Sequence, residues 1–155
     1  MPAIIINPLV VMLLLVALPA LGADKLSLIE AQLGENFAGK VVVVDFWASW
    51  CVPCRQSFPW MNSMQEKYAE RDLVIVAVNV DRERNAAERF LAEFPAEFRI
   101  HYDHEAILAH QFGVKVMPTT FVIGREGTVV SRHRGFKVRE QDEYEAALLD
   151  AMGNQ

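Results

Sequence analysis

A continuous apolar run that leads directly into a pair of cysteines limits the folds open to this chain more than any other feature. The run Val41–Trp47 is β-branched or aromatic except at Asp45, a pattern typical of a strand buried on both faces of a sheet. The sequence Trp50-Cys51-Val52-Pro53-Cys54 follows almost at once. A helix that begins at the first cysteine places Pro53 in its first turn, where the missing N–H costs nothing. The sequence therefore predicts a central strand with a cysteine-bearing helix at its carboxyl end, where open α/β sheets place their active sites.

The two cysteines are separated by two residues, and they are the only cysteines in the chain. On a helix this spacing places the sulfurs one turn apart, close enough for a reversible disulfide. The partial positive charge and free N–H groups of a helix N-terminus stabilise a thiolate there. We therefore expect Cys51 to be the exposed, attacking nucleophile and Cys54 to be the shielded thiol that expels a mixed disulfide.

Two other roles for a cysteine pair, a zinc half-site and a structural staple, fit the sequence less well. A structural zinc site needs four ligands. The other candidate ligands are the four histidines, His101, His104, His110 and His133. We interpret residues 101–105, which hold two of these histidines beside Asp103 and Glu105, as solvated surface. A staple that closes so short a loop removes little entropy from the unfolded chain, so redox chemistry is the favoured interpretation.

Length and charge indicate one globular domain. The 155 residues are 52% hydrophobic and 23% charged, which is ordinary for a chain with a single core. The formal net charge is −5 and the basic residues are scattered, so the chain has no evident patch for neutralising phosphates. Binding to nucleic acid is therefore not expected.

Residues 1–23 contain no charged side chain and are interpreted as a targeting segment. The stretch Leu9–Leu18 has the length of a signal-peptide apolar region, and Pro19 ends it just before the cleavage-site candidate Ala20-Leu21-Gly22-Ala23. Because no Lys or Arg precedes the apolar stretch and the segment is almost long enough to cross a bilayer, an uncleaved membrane anchor is the alternative. Either way we expect residues 24–155 to form a domain in the periplasm or another extracytoplasmic compartment.

Hydrophobic periodicity predicts helices and strands along the rest of the chain. The predicted elements are an amphipathic or irregular lead-in over 26–33, strand 41–47, the cysteine helix through 68 with a kink at Pro59, strand 73–80, helix 82–94, strand 98–102, helix 105–112, a hairpin of strands 119–123 and 128–132, and helix 143–152. This order predicts a central mixed sheet with helices on both faces.

Several of these residues resemble the motifs of the thioredoxin superfamily. They are Val44-Asp45-Phe46-Trp47-Ala48-Ser49-Trp50-Cys51-Val52-Pro53-Cys54, Pro59 and Met117-Pro118-Thr119. The resemblance extends from about Leu26 to Met152, and the segment between Asp81 and Asp103 is similar to the insertion of the extracytoplasmic TlpA/ResA-like branch. It implies an α/β, thioredoxin-like fold with a helix-strand insertion. It also implies no organic cofactor and no metal, only a redox-active disulfide between the two cysteines.

The resemblance implies a substrate groove beside the cysteines. The proline that matches Pro118 follows a cis peptide bond in this superfamily and leaves a neighbouring backbone edge free to pair with the partner. Trp50, Met117 and the segment Arg134-Gly135-Phe136, with Gly135 at its centre, should line the same groove.

The resemblance also assigns a role to Asp45, which matches a buried acid that moves protons to and from the resolving cysteine, here Cys54. Burial at the end of an apolar strand should raise the pKa of Asp45 towards neutrality and suit it to act as a general base. Thioredoxins proper have a lysine near this acid, at the position that Ala77 occupies in this chain. Without that cation, Asp45 is expected to ionise even less readily. Trp47 is expected to pack in the core beneath the site.

The residues and the resemblance together predict a thiol-disulfide oxidoreductase that acts on disulfides of extracytoplasmic proteins. The resemblance implies that it is a monomeric reductant, supplied with electrons by a membrane thiol-disulfide transporter and acting on targets such as apocytochrome c or copper-site assembly proteins. The alternative is an oxidant that donates disulfides, although the histidine between the cysteines and the large helical insertion of strong oxidants are missing. A different class is a copper(I) chaperone that uses both thiolates, with Met117 as the nearest third ligand. A non-catalytic adaptor fits an intact cysteine pair, proline and acid least well.

Overall fold

Residues 24–153, described by a computed structural model, are built around a five-stranded mixed sheet. Its strands are β1 Val41–Trp47, β2 Leu73–Asn79, β3 Arg99–Tyr102, β4 Thr119–Ile123 and β5 Val129–Arg134, in the order β3-β2-β1-β4-β5. β1 is parallel to β2, and β2 to β3, whereas the pairs β1–β4 and β4–β5 are antiparallel. β1 is therefore the central strand, and every residue in it is buried. The segment 1–23, for which a signal peptide or anchor is predicted, lies outside the described residues.

Helices cover both faces of the sheet. They are α1 Lys25–Leu33, α2 Val52–Tyr68, α3 Arg84–Glu93, α4 Ile107–Gln111 and α5 Gln141–Met152, with single 3-10 turns at Ala69–Arg71 and Val138–Glu140. One buried cluster joins α2, α3 and α5 to the sheet, and a second joins α1 and α4 to its opposite face. The predicted α/β, thioredoxin-like architecture with helices on both faces is confirmed.

The core at the carboxyl end of β1, next to the start of α2, is aromatic. Trp47, at the end of β1, is fully buried, with its ring centroid 4.9 Å from that of Phe58 and 4.7 Å from that of Phe90. Phe58 belongs to α2 and Phe90 to α3, so this cluster fixes both helices against the end of the central strand. The expected core role of Trp47 is confirmed.

The segment before α4 differs from its prediction. Asp103 is only 7% exposed, and its carboxylate accepts hydrogen bonds from the backbone N–H groups of Leu108 and Ala109 at 3.2 and 2.8 Å. The interpretation of Asp103 as part of a solvated surface is therefore wrong. Because this carboxylate satisfies the first N–H groups of the helix, α4 begins at Ile107 rather than at residue 105.

The remaining differences are shifts of element ends. The predicted lead-in is the helix α1, capped by the Asp24 side chain, which accepts a hydrogen bond from the Ser27 N–H at 2.8 Å. β5 extends to Arg134, and its pairing with β4 shifts register between Val122 and Ile123. Within residues 24–153, none of the helices has the length and apolar character needed to cross a membrane.

Candidate active site

The only two cysteines form a disulfide at the first turn of α2. Cys51 is the N-cap residue, and its Sγ accepts a hydrogen bond from the Cys54 N–H at 3.2 Å, so the helix N-terminus is directed at this sulfur. Cys51 is only 3% exposed and Cys54 is fully buried. The expectation of an exposed Cys51 sulfur is therefore wrong for this oxidised state, because the bond to Cys54 holds Cys51 within the core cluster that contains Trp47 and Phe58.

Two apolar side chains next to the disulfide face solvent. Trp50 is 68% exposed and Val52 is 64% exposed, in contrast to the buried cysteine between them. An exposed indole beside a reactive group is typical of a surface that binds another protein. The role of Trp50 in binding a substrate stays a prediction.

A buried carboxylate holds the loop that leads to Cys51. Asp81, just past the end of β2, accepts hydrogen bonds from the Ser49 N–H, the Ser49 hydroxyl and the Asn79 side-chain amide at 2.8, 2.9 and 2.8 Å. The backbone carbonyl of Asp81 lies 2.9 Å from Nδ1 of His104. Sequence reasoning treated Asp81 only as the boundary of a predicted strand and of the insertion that follows it, although an acid at the carboxyl edge of the central sheet was the available signal.

The peptide bond between Met117 and Pro118 is cis, as predicted. The Pro118 carbonyl accepts a hydrogen bond from the Gly135 N–H at 2.8 Å, which joins this loop to the end of β5. Gly135 has φ +79°, a left-handed conformation that favours glycine, and the Met117 side chain packs against the cysteine-containing core cluster. Gly135, Met117 and Pro118 therefore lie in one connected region, whereas their contact with a substrate stays a prediction.

The prediction that Phe136 lines the substrate groove is wrong. Its side chain is buried, with its ring centroid 5.7 Å from that of Trp60 and 5.4 Å from that of Tyr144. Because the ring completes an aromatic cluster between α2 and α5, it is not available to line a surface groove.

Asp45 lies in the middle of the sheet with an incomplete set of partners. Its Oδ1 accepts a hydrogen bond of 2.6 Å from the Thr120 hydroxyl, and its Oδ2 has no hydrogen-bond partner among the described residues. Burial raises the pKa of Asp45 to about 7, and the hydrogen bond from Thr120 lowers it only in part. The expectation of a pKa near neutrality is confirmed.

No cation compensates Asp45 within residues 24–153. Ala77 is its register partner on β2, and none of the ion pairs in the described part of the chain includes this carboxylate. Asp45 is two residues away from both Val43 and Trp47, which belong to the core cluster that contains the two cysteines. Residues two apart on a strand project to the same face of the sheet. The Asp45 side chain therefore lies on the cysteine-bearing face of the sheet.

The described residues offer no ready metal site. Among residues 24–153, no group of three or more His, Cys, Asp or Glu side chains is arranged to hold a metal ion.

Comparison with known proteins identifies the family. A family model described as Redoxin matches residues 17–148, which is most of the chain. The chain belongs to the Redoxin family. This Redoxin family member is 48% identical to a crystal structure from Chlorobium tepidum named as a thiol:disulfide interchange protein DsbE, with a TM-score of 0.74 over 76% of this chain and 83% of that one.

Two further relatives are also named as thiol-disulfide exchange proteins. The Redoxin family member is 32% identical over 111 residues to the thiol-disulfide oxidoreductase ResA of Bacillus thuringiensis subsp. konkukian, covering 71% of this chain and 64% of that protein. It thus spans about 64% of the length of this curated relative. A second Chlorobium tepidum structure, a thiol:disulfide interchange protein of the thioredoxin family, shares the fold at 24% identity, with a TM-score of 0.66 over 76% of this chain and 83% of that one.

Proposed function

We propose that this Redoxin family member is a thiol-disulfide oxidoreductase whose redox centre is the Cys51–Cys54 pair. The observation that carries the proposal is the disulfide itself, which joins the only two cysteines at the N-terminus of a long helix. A bond that spans three positions removes little entropy from the unfolded chain, so stabilisation alone does not account for it. The names of the ResA and DsbE relatives point to the same activity.

The reaction proceeds by two exchanges at sulfur. In the reduced protein, the Cys51 thiolate attacks a disulfide of the substrate, forms a mixed disulfide and releases one substrate thiolate. Cys54 then loses its proton and attacks the Cys51 sulfur, so that the second substrate thiolate leaves and the Cys51–Cys54 disulfide forms. Two electrons pass from the dithiol to the substrate. The hydrogen bond from the Cys54 N–H to Cys51 Sγ favours charge on the sulfur that attacks first.

Asp45 is the proposed base for the second exchange. A pKa of about 7 makes the carboxyl equally able to hold and to release a proton near neutral pH, which suits a group that must take the proton of Cys54 and later return it. The position of Asp45 on the cysteine-bearing face of β1 supports this role.

The proposed substrates are disulfides of extracytoplasmic proteins, which bind over Trp50, Met117, Pro118 and Gly135. The apolar, uncharged character of residues 1–23 supports a location outside the cytoplasmic membrane. We further propose that the domain acts as a monomeric reductant, for example in the maturation of cytochrome c or of copper sites, with a membrane thiol-disulfide transporter as its electron donor. No organic cofactor takes part in this scheme.

Reduction of insulin by dithiothreitol tests the activity. The wild-type protein should accelerate precipitation of the insulin B chain, and Cys51→Ser should abolish the acceleration because the attacking sulfur is missing. Cys54→Ser keeps that sulfur and should accumulate a mixed disulfide visible by mass spectrometry. A wild-type protein with no more effect than Cys51→Ser would contradict the proposal.

The equilibrium reduction potential tests the direction. A value near the thioredoxin level of about −270 mV would support a reductant, and a value near the roughly −120 mV of strong oxidants would make the protein a disulfide donor. Titration of the reduced protein with copper(I) against a competing chelator tests the chaperone alternative. Tight binding that Met117→Ala weakens would favour that alternative.

A further inference from the structure

Three polar side chains form a row across the centre of the sheet. Asp45 on β1 is the register partner of Thr120 on β4, and Thr120 is the register partner of His133 on β5. Side chains of directly opposed residues project from the same face of a sheet, and here that face is covered by α2 and α5. The row therefore runs from the buried acid to the edge strand of the sheet.

A hydrogen bond joins Asp45 to Thr120, and a shared cavity lies between Thr120 and His133. The Thr120 hydroxyl donates to Asp45 Oδ1 at 2.6 Å. Thr120 and His133 both line a cavity of about 20 Å³, together with Tyr144 and Trp60, and the other lining residues are apolar or glycine. A cavity of this size holds about one water molecule when at least two polar groups bond to it, and Thr120 and His133 supply two such groups. One water in this cavity would connect Thr120 to His133.

We infer that His133 is a proton-relay residue that connects Asp45 to solvent through Thr120 and one water. The inference rests on the proposed function, in which Asp45 takes the proton of Cys54. It explains how a fully buried carboxyl, with no ion-pair partner among the described residues, passes its proton to solvent and so becomes ionised before it takes the proton of Cys54.

The proton transfers balance at each atom of the row. Asp45 passes the proton taken from Cys54 to the Thr120 hydroxyl oxygen while that hydroxyl gives its own proton to the water. The water gives a proton to a ring nitrogen of His133, and the imidazolium releases it to solvent. Asp45 ends as a carboxylate, and Thr120 and the water are restored. The return of a proton during reduction of the disulfide follows the same steps in reverse.

The surroundings of His133 keep it available as an acceptor. The ring centroid of His133 lies 4.9 Å from that of Tyr144 on α5, and its Nε2 lies 2.9 Å from the Ser131 hydroxyl. Burial lowers the pKa of His133, while the charges of Glu143 on α5 and Glu140 in the adjacent 3-10 turn oppose this effect only in part. Burial therefore favours the neutral imidazole, which is able to take up a proton.

Two further charged groups flank His133 on its own strand, Arg132 and Arg134, and both are exposed. Arg132 donates to the Gly113 carbonyl at 3.1 Å and lies over the Phe121 ring, which belongs to the cluster on the opposite face of the sheet. Because neighbouring residues of a strand project to opposite faces, neither arginine is on the cavity side. The relay therefore contains a single basic group.

Reaction of the reduced protein with Ellman's reagent tests the relay without any protein substrate. Cys51 attacks the reagent and releases one thionitrobenzoate, and Cys54 then releases the second as the protein disulfide forms. His133→Ala should leave the first release unchanged. It should slow the second by about tenfold in the molecules that start with Asp45 protonated, about half of them at pH 7, because Asp45 must pass its proton to solvent before it can take that of Cys54. Imidazole added to His133→Ala should restore the second release, which a loss of packing alone would not allow.

Two further variants separate proton transfer from structure. His133→Gln retains bulk and a hydrogen-bonding group but lacks an imidazole that titrates near neutrality, so it should slow the second release as His133→Ala does. His101→Ala is the matched control, because His101 is also partly buried on an edge strand but pairs with Val78, a member of the cluster on the opposite face. It should leave both releases unchanged.

The outcomes distinguish the relay from the proposed function. A second release unchanged in His133→Gln, an equal slowing in His101→Ala, or no effect of imidazole on His133→Ala would each overturn the relay and leave the oxidoreductase proposal intact. A wild-type protein that releases thionitrobenzoate only once would overturn both. Failure on insulin with a normal, His133-dependent second release would overturn the proposed protein substrate and support the relay.

Discussion

Asp45, on β1, and Asp81, just past the end of the neighbouring strand β2, are two buried carboxylates that differ in how many hydrogen bonds they accept. Asp81 accepts three hydrogen bonds, two from Ser49 and one from Asn79. Asp45 is the more deeply buried, but it accepts only the hydrogen bond from Thr120 and leaves Oδ2 without a partner among the described residues. Burial alone therefore does not assign a role to an acid. A fully bonded carboxylate fixes a loop, whereas an under-bonded one is suited to hold a proton.

Removal of Asp81 should have the largest effect on stability. Asp81→Ala leaves two donors of Ser49 and the buried amide of Asn79 without an acceptor, which we expect to cost about 3 kcal/mol of unfolding free energy. Denaturant unfolding of the oxidised protein measures this loss. Glu66→Ala, at an exposed position of α2, is the control and should change stability little. A loss no greater than that of the control would show that Asp81 does not hold the cysteine loop.

Neutralisation of Asp45 should raise the free energy of unfolding rather than lower it, and the size of this effect should depend on pH. The pKa of about 7 in the folded state lies above the unfolded value, so the folded state binds the proton more tightly and wild-type stability falls as pH rises from about 4 to about 7. The shift corresponds to at most about 4 kcal/mol, and the amide group of an asparagine offsets part of it. Asp45→Asn should therefore stabilise the oxidised protein by about 1–3 kcal/mol at pH 8 and not at pH 4.

Unfolding curves of Asp45→Asn and wild type at the two pH values check this prediction. An equal difference in unfolding free energy at pH 4 and pH 8 would contradict a pKa near neutrality, and the two acids would then no longer differ in kind.

The smallest expected effect comes from the single partner of Asp45. Thr120→Val removes the hydrogen bond to Oδ1 while it preserves the shape of the side chain, so it should raise the pKa of Asp45 by about one unit. Carbon-13 NMR titration of the carboxyl measures the change. Thr119→Val is the matched control, because the Thr119 hydroxyl donates to the Val116 carbonyl instead. A shift as large in the control would assign the effect to packing.

The sequence was sufficient for the central sheet and for the location of the cysteines. Buried strands such as β1 are marked by apolar runs with at most one polar residue, and a proline shortly after the first cysteine indicates where a helix begins. The same local patterns underlie the correct prediction that burial raises the pKa of Asp45.

The partners of the buried polar groups could not be predicted, because they depend on pairings between distant parts of the chain. Thr120 donates a hydrogen bond to Asp45, which is 75 residues away in the sequence, and Ser49 donates to Asp81, which is 32 residues away. His133 was considered only as a zinc ligand, since its alignment with Thr120 exists only in the register of the hairpin. Asp103 was misjudged for a related reason, because its partners are N–H groups of a short helix and leave no mark on the local charge pattern.

Trp50 is exposed whereas Cys51 is nearly inaccessible, and this contrast affects which thiols react readily with the disulfide. A small thiol such as glutathione or dithiothreitol gains little from the indole, so it should reduce the oxidised form more slowly than a thiol of a protein that binds Trp50. A large partner that covers the indole gains apolar burial before any sulfur is reached. Preference for protein partners over small thiols is thereby placed in the residue next to the cysteine rather than in the sulfur itself.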